Sequence, residues 1–128
     1  MTQIIPAGSQ LCRVDEIPDG DTKGFTLGEG DWPLRGLLVR TGERVRGFLN
    51  TCPHAGHRLG FHTDRFLTPD RTLILCRSHG ALFDKQSGVC VAGPCVGEAL
   101  RPVPVEVVDG VVRTTTELDV DALASRFW

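Results

Sequence analysis

The chain has 128 residues and a formal net charge of −2. This length suits one domain, and the weak negative charge disfavours nucleic acids and anionic membranes as partners, because both require a basic protein face. No apolar run reaches the roughly 20 residues of a membrane-spanning helix, and the N-terminus lacks the basic and apolar regions of a signal peptide, so we expect one cytoplasmic domain over residues 1–128.

Short β-like runs alternate with turn residues, which predicts an all-β sandwich or barrel. The first run is Gln10–Ile17. Acidic residues and glycines follow in Asp19–Trp32, but they lack the regular ligand positions of a calcium loop, so we predict a solvated turn region there. The next pair of runs, Leu37–Arg40 and Arg44–Asn50, predicts a hairpin that turns at residues 41–43.

The second half of the chain begins with a compact apolar strand, Arg71–Cys76, and continues with a clearer hairpin, VPVEVVDGVVRTT. The hairpin turns at Asp109–Gly110, a residue pair that type I′ turns prefer. Its first strand should lie at a sheet edge, because Pro102 and Pro104 cannot donate a hydrogen bond to a neighbouring strand. The tail, Glu117–Trp128, is predicted to form a short helix.

Two loops each pair a cysteine with a histidine that follows two or three residues later: Cys52 and His54 in TCPHAGHRLG, and Cys76 and His79 in CRSHGALFD. The five cysteines are an odd number, which favours metal binding over a disulfide framework in a reducing compartment. Two thiolates and two imidazoles suit zinc or an iron–sulfur centre. A structural zinc finger usually keeps its cysteines in one knuckle and its histidines in another, so the mixed loops favour a two-iron cluster.

The sequences CPHAGH (Cys52–His57) and CRSHG (Cys76–Gly80) resemble the two ligand loops of the Rieske [2Fe–2S] family, which read C-x-H and C-x-x-H. The resemblance continues through His79–Pro94, which is similar to the strand, turn and GP loop after the second ligand pair. It implies a Rieske-type antiparallel β-sandwich in which two loops form a small cluster-binding subdomain, within about residues 50–95.

The resemblance also implies one [2Fe–2S] cluster, with the thiolates on one iron and the imidazoles on the other: Cys52 and Cys76, then His54 and His79. Neutral imidazoles leave the oxidised cluster uncharged, whereas four thiolates would make it a dianion. Adding an electron therefore costs less, and Rieske potentials run from roughly −150 to +300 mV. The implied function is that of an oxygenase-system ferredoxin, which passes single electrons from a reductase to a terminal oxygenase.

Four further residues are expected around the cluster: His57, Ser78, Gly80 and Pro94. High-potential respiratory Rieske proteins carry two disulfide-forming cysteines where this chain has His57 and Ser78, so the similarity is to the soluble ferredoxin branch. The Ser78 hydroxyl either donates to a cluster sulfur, which would raise the potential, or faces solvent. The Gly93–Pro94 pair is expected to shape a loop that covers the cluster.

Some residues near these motifs are given structural roles. The 21 residues between His54 and Cys76 are a few more than the resemblance implies. The extra length is placed in Phe61–Thr72 and is interpreted as a surface insertion rather than a partner surface. His62 belongs to that loop and is not predicted to be a ligand. Cys12 and Cys90 are predicted to be small core residues, and a disulfide between Cys90 and Cys95 is disfavoured in the cytosol.

Four other functions stay open on the sequence. A fixed electron-transfer subunit, similar to the small subunit of nitrite reductase, would use the same fold and cluster. A zinc-stabilised binding module would need no redox chemistry. A catalytic oxygenase needs a mononuclear iron held by two further histidines and a carboxylate; only His57 and His62 remain, and we expect no second domain. A redox sensor would need an effector segment, which we do not recognise.

Overall fold

The structure, a computed structural model, describes residues 4–28, 34–50, 66–76 and 80–120. Over these residues the chain forms twelve β-strands in four antiparallel sheets and one short 3-10 helix, Val14–Glu16, which confirms the all-β prediction. In this described part of the chain, no helix is long and apolar enough to cross a membrane. The strands are β1 Ile4–Ile5, β2 Gln10–Arg13, β3 Thr22–Leu27, β4 Leu34–Thr41, β5 Arg44–Leu49, β6 Leu73–Leu75, β7 Leu82–Asp84, β8 Cys90–Ala92, β9 Pro102–Val103, β10 Val105–Val108, β11 Val111–Thr114 and β12 Leu118–Asp119.

The largest sheet has the order β3-β4-β5-β9. The predicted β4–β5 hairpin is confirmed, with Thr41 opposite Arg44. The prediction of a solvated turn region over Asp19–Trp32 is wrong for its middle part, because β3 pairs with β4 from Thr22 to Leu27. The central strand β4 is buried along most of its length, so its backbone groups need partner strands on both sides.

A proline divides the strand that the sequence predicted before the second hairpin. Because Pro104 has no N–H, the ladder is interrupted there, and β9 and β10 join two different sheets, each at an edge. The edge prediction is therefore confirmed, but the single continuous strand is wrong. The β10–β11 hairpin turns as predicted: Asp109 and Gly110 have φ of 51° and 76°, the two positive values that a type I′ turn requires.

The two ends of the described chain form a small sheet of their own. Strand β12 pairs antiparallel with β1, with Ile5 opposite Leu118. The helix predicted for Glu117–Trp128 is thus wrong at its start, and residues 121–128 lie outside the described residues. The first predicted strand, Gln10–Ile17, is shorter than expected, since it ends at Arg13 and the 3-10 helix follows.

A three-stranded sheet, β6-β7-β8, packs on the large sheet through one hydrophobic core. The large sheet supplies Phe48 and the small sheet supplies Phe83, both almost fully buried. Polar contacts also join the two: the Lys85 ammonium donates to the Gly20 carbonyl at 2.9 Å and to the Arg71 carbonyl at 3.1 Å. The small sheet is therefore fixed on the larger one by both apolar and polar contacts.

The turn between β7 and β8 is organised by a carboxylate. The Asp84 carboxylate accepts hydrogen bonds from the backbone N–H groups of Ser87 and Gln86, each at 2.8 Å. These bonds lower the pKa of Asp84 below its ordinary value. The turn is consequently stabilised above the pKa of an unfolded aspartate, and this stabilisation is lost as the pH falls through the lowered pKa.

Candidate metal centre

One predicted ligand, Cys76, lies within the described residues, immediately after β6. Its side chain is 0% exposed and forms no disulfide. Its backbone N–H donates to the carbonyl of Ala81 at 2.8 Å, which holds it beside the start of β7. A buried thiol at a strand–loop junction, fixed from the backbone side, is suited to a structural or metal-ligating role.

The second ligand loop is closed by a backbone hydrogen bond. Gly80 N–H donates to the Cys76 carbonyl at 2.9 Å, and Gly80 itself has a φ of 72° and is exposed. Residues 77–79, which include Ser78 and His79, lie outside the described residues. This hydrogen bond holds together Cys76 and Gly80, the two residues that flank the segment. In the sequence, His79 immediately precedes Gly80.

The first ligand loop lies between two residues of the same core as Cys76. Phe48 in β5 and Phe66 are both buried in the core cluster that contains Cys76. The Phe66 carbonyl accepts from Leu75 N–H at 2.7 Å, so the chain re-enters the described fold beside the last residue of β6. Three predicted site residues fall within segment 51–65 and outside the described residues: Cys52, His54 and His57.

The loop expected to cover the centre packs against Ala81, the residue that follows the second ligand loop. Gly93 has a φ of 99°, and a Cβ built on it would lie 2.8 Å from the Cα of Ala81. Pro94 follows and is exposed. Only glycine fits at position 93, because a side chain would be strained by the backbone conformation and would also strike Ala81.

Alanine at position 93 should destabilise the fold more than alanine at position 97. Gly97 has a similar φ of 94°, but a Cβ added there would have no atom within 4 Å. Gly97→Ala therefore costs only the strain of placing alanine at a positive φ, about 1–2 kcal/mol. Gly93→Ala carries the same cost plus overpacking against Ala81, about 1–3 kcal/mol more. Urea unfolding followed by circular dichroism measures both; equal losses of unfolding free energy would show that the Ala81 contact is relaxed without cost.

Two contacts made by residues in the loops after β7 and β8 were not expected from the sequence. Lys85 fixes the small sheet through two backbone carbonyls, and the run DKQSG carries no pattern that points to them. Cys95 lies against Cys90, with 3.0 Å between the sulfur atoms. Cys12 behaves nearly as predicted: it is half-buried against a different core cluster, and burial is the main cause that raises its thiol pKa.

The side chains available as ligands indicate which metal or cofactor could bind at this centre. Among residues 4–28, 34–50, 66–76 and 80–120, no group of three or more His, Cys, Asp or Glu side chains could hold a metal ion. A metal centre that includes Cys76 must therefore take ligands from residues outside these ranges. Among those residues, segments 51–65 and 77–79 contain Cys52 and all four histidines. Thiolate and imidazole ligands fit an iron–sulfur cluster, and the buried Cys76 thiol fits its share of that set.

The sequence profile of the Rieske [2Fe–2S] domain matches residues 9–114. The chain belongs to the Rieske [2Fe–2S] domain family. Its cofactor is accordingly one [2Fe–2S] cluster, and its role is one-electron transfer. The zinc-stabilised module is not supported by this finding. A comparison with curated proteins found no match.

Three solved structures are similar to this Rieske domain. The Sphingomonas yanoikuyae B1 ferredoxin is 27% identical with a TM-score of 0.61, and the match covers 85% of this chain and 98% of that ferredoxin. One chain in the complex of reduced oxygenase and oxidized ferredoxin in carbazole 1,9a-dioxygenase is 25% identical with a TM-score of 0.61, over 83% of this chain and 90% of the other. The terminal oxygenase of carbazole 1,9a-dioxygenase from Nocardioides aromaticivorans IC177 is 21% identical with a TM-score of 0.63; the match covers 86% of this chain and 30% of the oxygenase, and it shows a shared fold.

Proposed function

We propose that this Rieske protein is the ferredoxin component of a multicomponent oxygenase and carries single electrons in the cytoplasm from a reductase to a terminal oxygenase. The observation that carries the proposal is the match to the Sphingomonas ferredoxin, which extends over 98% of that protein at 27% identity. The terminal oxygenase from Nocardioides is less similar in sequence, at 21% identity, and the match covers 30% of it. The carbazole system also supplies a complex between an oxygenase and a ferredoxin, which is the kind of partnership that we propose for this chain.

The proposed cluster ligands are Cys52 and Cys76 on one iron and His54 and His79 on the other. Support comes from the buried Cys76 thiol and from the bond between Gly80 and the Cys76 carbonyl, which joins the flanks of the His79 segment. Support also comes from the core cluster that Cys76 shares with Phe48 and Phe66, which lie before and after the first ligand loop in the sequence. When bound, the cluster accepts and releases one electron.

The protein's own residues control access to this centre. The Cys76 thiol is shielded from water, because Cys76 and Ala81 are both buried in the core. The imidazole side is proposed to lie near solvent, because Gly80, which follows His79 in the sequence, is exposed, as is Pro94. Electron exchange with a partner is therefore proposed to take place at the surface that contains Gly80 and Pro94. The further residues proposed near the cluster, His57 and Ser78, lie outside the described residues.

The ligand set can be tested with protein labelled with 15N-histidine and reduced with dithionite. We expect a rhombic EPR signal with an average g value below that of all-cysteine clusters, and pulsed EPR should show couplings to two histidine nitrogens. The matched variants are His54→Ala, which should lose the cluster, and His57→Gln, which should keep both couplings. A colourless zinc protein, or a cluster without histidine couplings, would contradict the proposal.

Carrier and fixed-subunit functions differ in how the protein is recovered from its host. A carrier binds its partners transiently, so the tagged protein should elute from host extract without a stoichiometric partner at moderate salt and still hold its cluster. Persistent recovery with a larger oxidoreductase, in equal amounts and through high salt, would instead assign the chain as a fixed subunit and overturn the carrier proposal.

A further inference from the structure

Two cysteines outside the proposed ligand set lie in contact. Cys90, at the start of β8, is 2% exposed, and Cys95, in the turn after β8, is 3% exposed. The Cys95 thiol donates to the Cys90 sulfur at 3.0 Å, and the Cys90 thiol donates to the Ala92 carbonyl at 3.2 Å. Neither cysteine takes part in a disulfide. The two sulfurs are thus neighbours within one small loop, rather than separate core side chains.

The backbone around the pair already closes on itself. Cys90 N–H donates to the Glu98 carbonyl at 2.8 Å, and Glu98 N–H donates to the Cys95 carbonyl at 2.9 Å. These bonds tie Cys90 to Glu98 and Glu98 to Cys95, so the backbone holds the two cysteines in one closed turn. A disulfide has an S–S distance of about 2 Å, so the sulfurs must approach by about 1 Å.

The position of the pair makes it accessible through one side of the loop. Cys95 is buried, but its neighbours in the turn are exposed, Val96 by 64%. A small opening of this turn would bring the Cys95 sulfur to solvent, whereas Cys90 stays within β8. Cys95 is therefore the thiol that a soluble reagent reaches first.

We propose that Cys90 and Cys95 form a reversible disulfide that locks the loop beside the second ligand pair, with a low-molecular-weight disulfide such as oxidised glutathione as the oxidant. The Cys95 thiolate attacks one sulfur of the oxidant, which releases one thiol and leaves a mixed disulfide on Cys95. The Cys90 thiolate then displaces the second thiol. Two protein thiols are oxidised to one disulfide while one molecule of the oxidant is reduced to two thiols, so atoms and electrons balance.

The lock acts on Gly93, which lies between the two cysteines and packs on Ala81. Bridging places residues 91–94 in a covalent ring, so the turn can no longer open without strain. Cys76 and Ala81 belong to the same core cluster as Cys90 and Cys95. The disulfide-closed ring is therefore expected to stiffen the core residues next to the second ligand loop.

The test uses the cluster-loaded protein, reduced, desalted under argon, incubated with oxidised glutathione, then alkylated in denaturant and digested with trypsin. Both cysteines lie in one tryptic peptide, residues 86–113, because the Arg101–Pro102 bond resists trypsin. We expect this peptide to lose two hydrogen atoms and to carry no alkyl group, and we expect dithiothreitol to restore both alkylation sites. In the bridged protein, amide hydrogen exchange over residues 93–98 should slow several-fold.

Cys95→Ala should lose the bridge completely, whereas Cys12→Ala, which removes a half-buried thiol from a different core cluster, should keep it. The mass measurement on the unmodified chain decides the matter even if Cys95→Ala does not fold. Three results would overturn the proposal: both thiols alkylated after oxidation, a disulfide from either thiol to Cys52 or Cys76, or a bridge that leaves hydrogen exchange of the turn unchanged.

Discussion

Replacing Cys76 by alanine should give a protein without a cluster. The Cys76 thiolate is one of the two anionic ligands proposed for one iron of the cluster. Among the described residues, no other cysteine lies between a strand and a ligand loop. We expect iron and sulfide to fall from two atoms each per chain to none, with complete loss of visible absorption. Iron, sulfide and absorption are measured on protein purified and reconstituted under anaerobic conditions.

The matched control is Cys90→Ala. Cys76 and Cys90 are both almost fully buried in the same core cluster, so each substitution removes one sulfur from the same apolar surroundings. Cys90→Ala should keep its full iron content. If both variants lost the cluster, the packing of buried sulfur atoms rather than ligation would account for the loss; if Cys76→Ala kept its iron, the proposed ligand set would be wrong.

The sequence predicted the parts of the fold that local residue patterns control. The Asp109–Gly110 turn requires two positive φ values, and this residue pair accepts them at low cost, so the β10–β11 hairpin is visible from sequence alone. The β4–β5 hairpin has the same local character. The family and its cofactor were also predictable, because each of two short loops has a histidine two or three residues after a cysteine.

The parts that were missed depend on contacts between distant segments. Strand β3 reads as a polar, glycine-containing stretch, and it is a strand because buried β4 needs a partner on that side. Strands β1 and β12 are two residues each, and they depend on their mutual pairing and on the core cluster in which Leu118 and Ile5 pack. The contact between Cys90 and Cys95 likewise depends on the turn that returns Glu98 to Cys90, which spacing alone does not determine.

Replacing Phe83 by alanine should cause a large loss of folding stability. Phe83 is the central residue of β7, is 0% exposed, and lies opposite Ile74 on one side and Cys90 on the other. Removing a buried phenylalanine leaves a cavity and costs about 3–5 kcal/mol. Since natural domains are stable by only about 5–15 kcal/mol, this loss would remove a large share of the total.

The substitution should also weaken retention of the cluster, because Phe83 packs in the core that contains Cys76 and Ala81. Phe25→Ala is the control, since Phe25 is half-buried against the other two core clusters and should cost about half as much. Denaturant titrations followed by circular dichroism and by visible absorption report unfolding and cluster loss separately. We expect Phe83→Ala to bleach at a lower denaturant concentration than Phe25→Ala. Bleaching of both at the same concentration would mean that the cluster is supported by the whole fold rather than by the small sheet on which the second ligand loop is built.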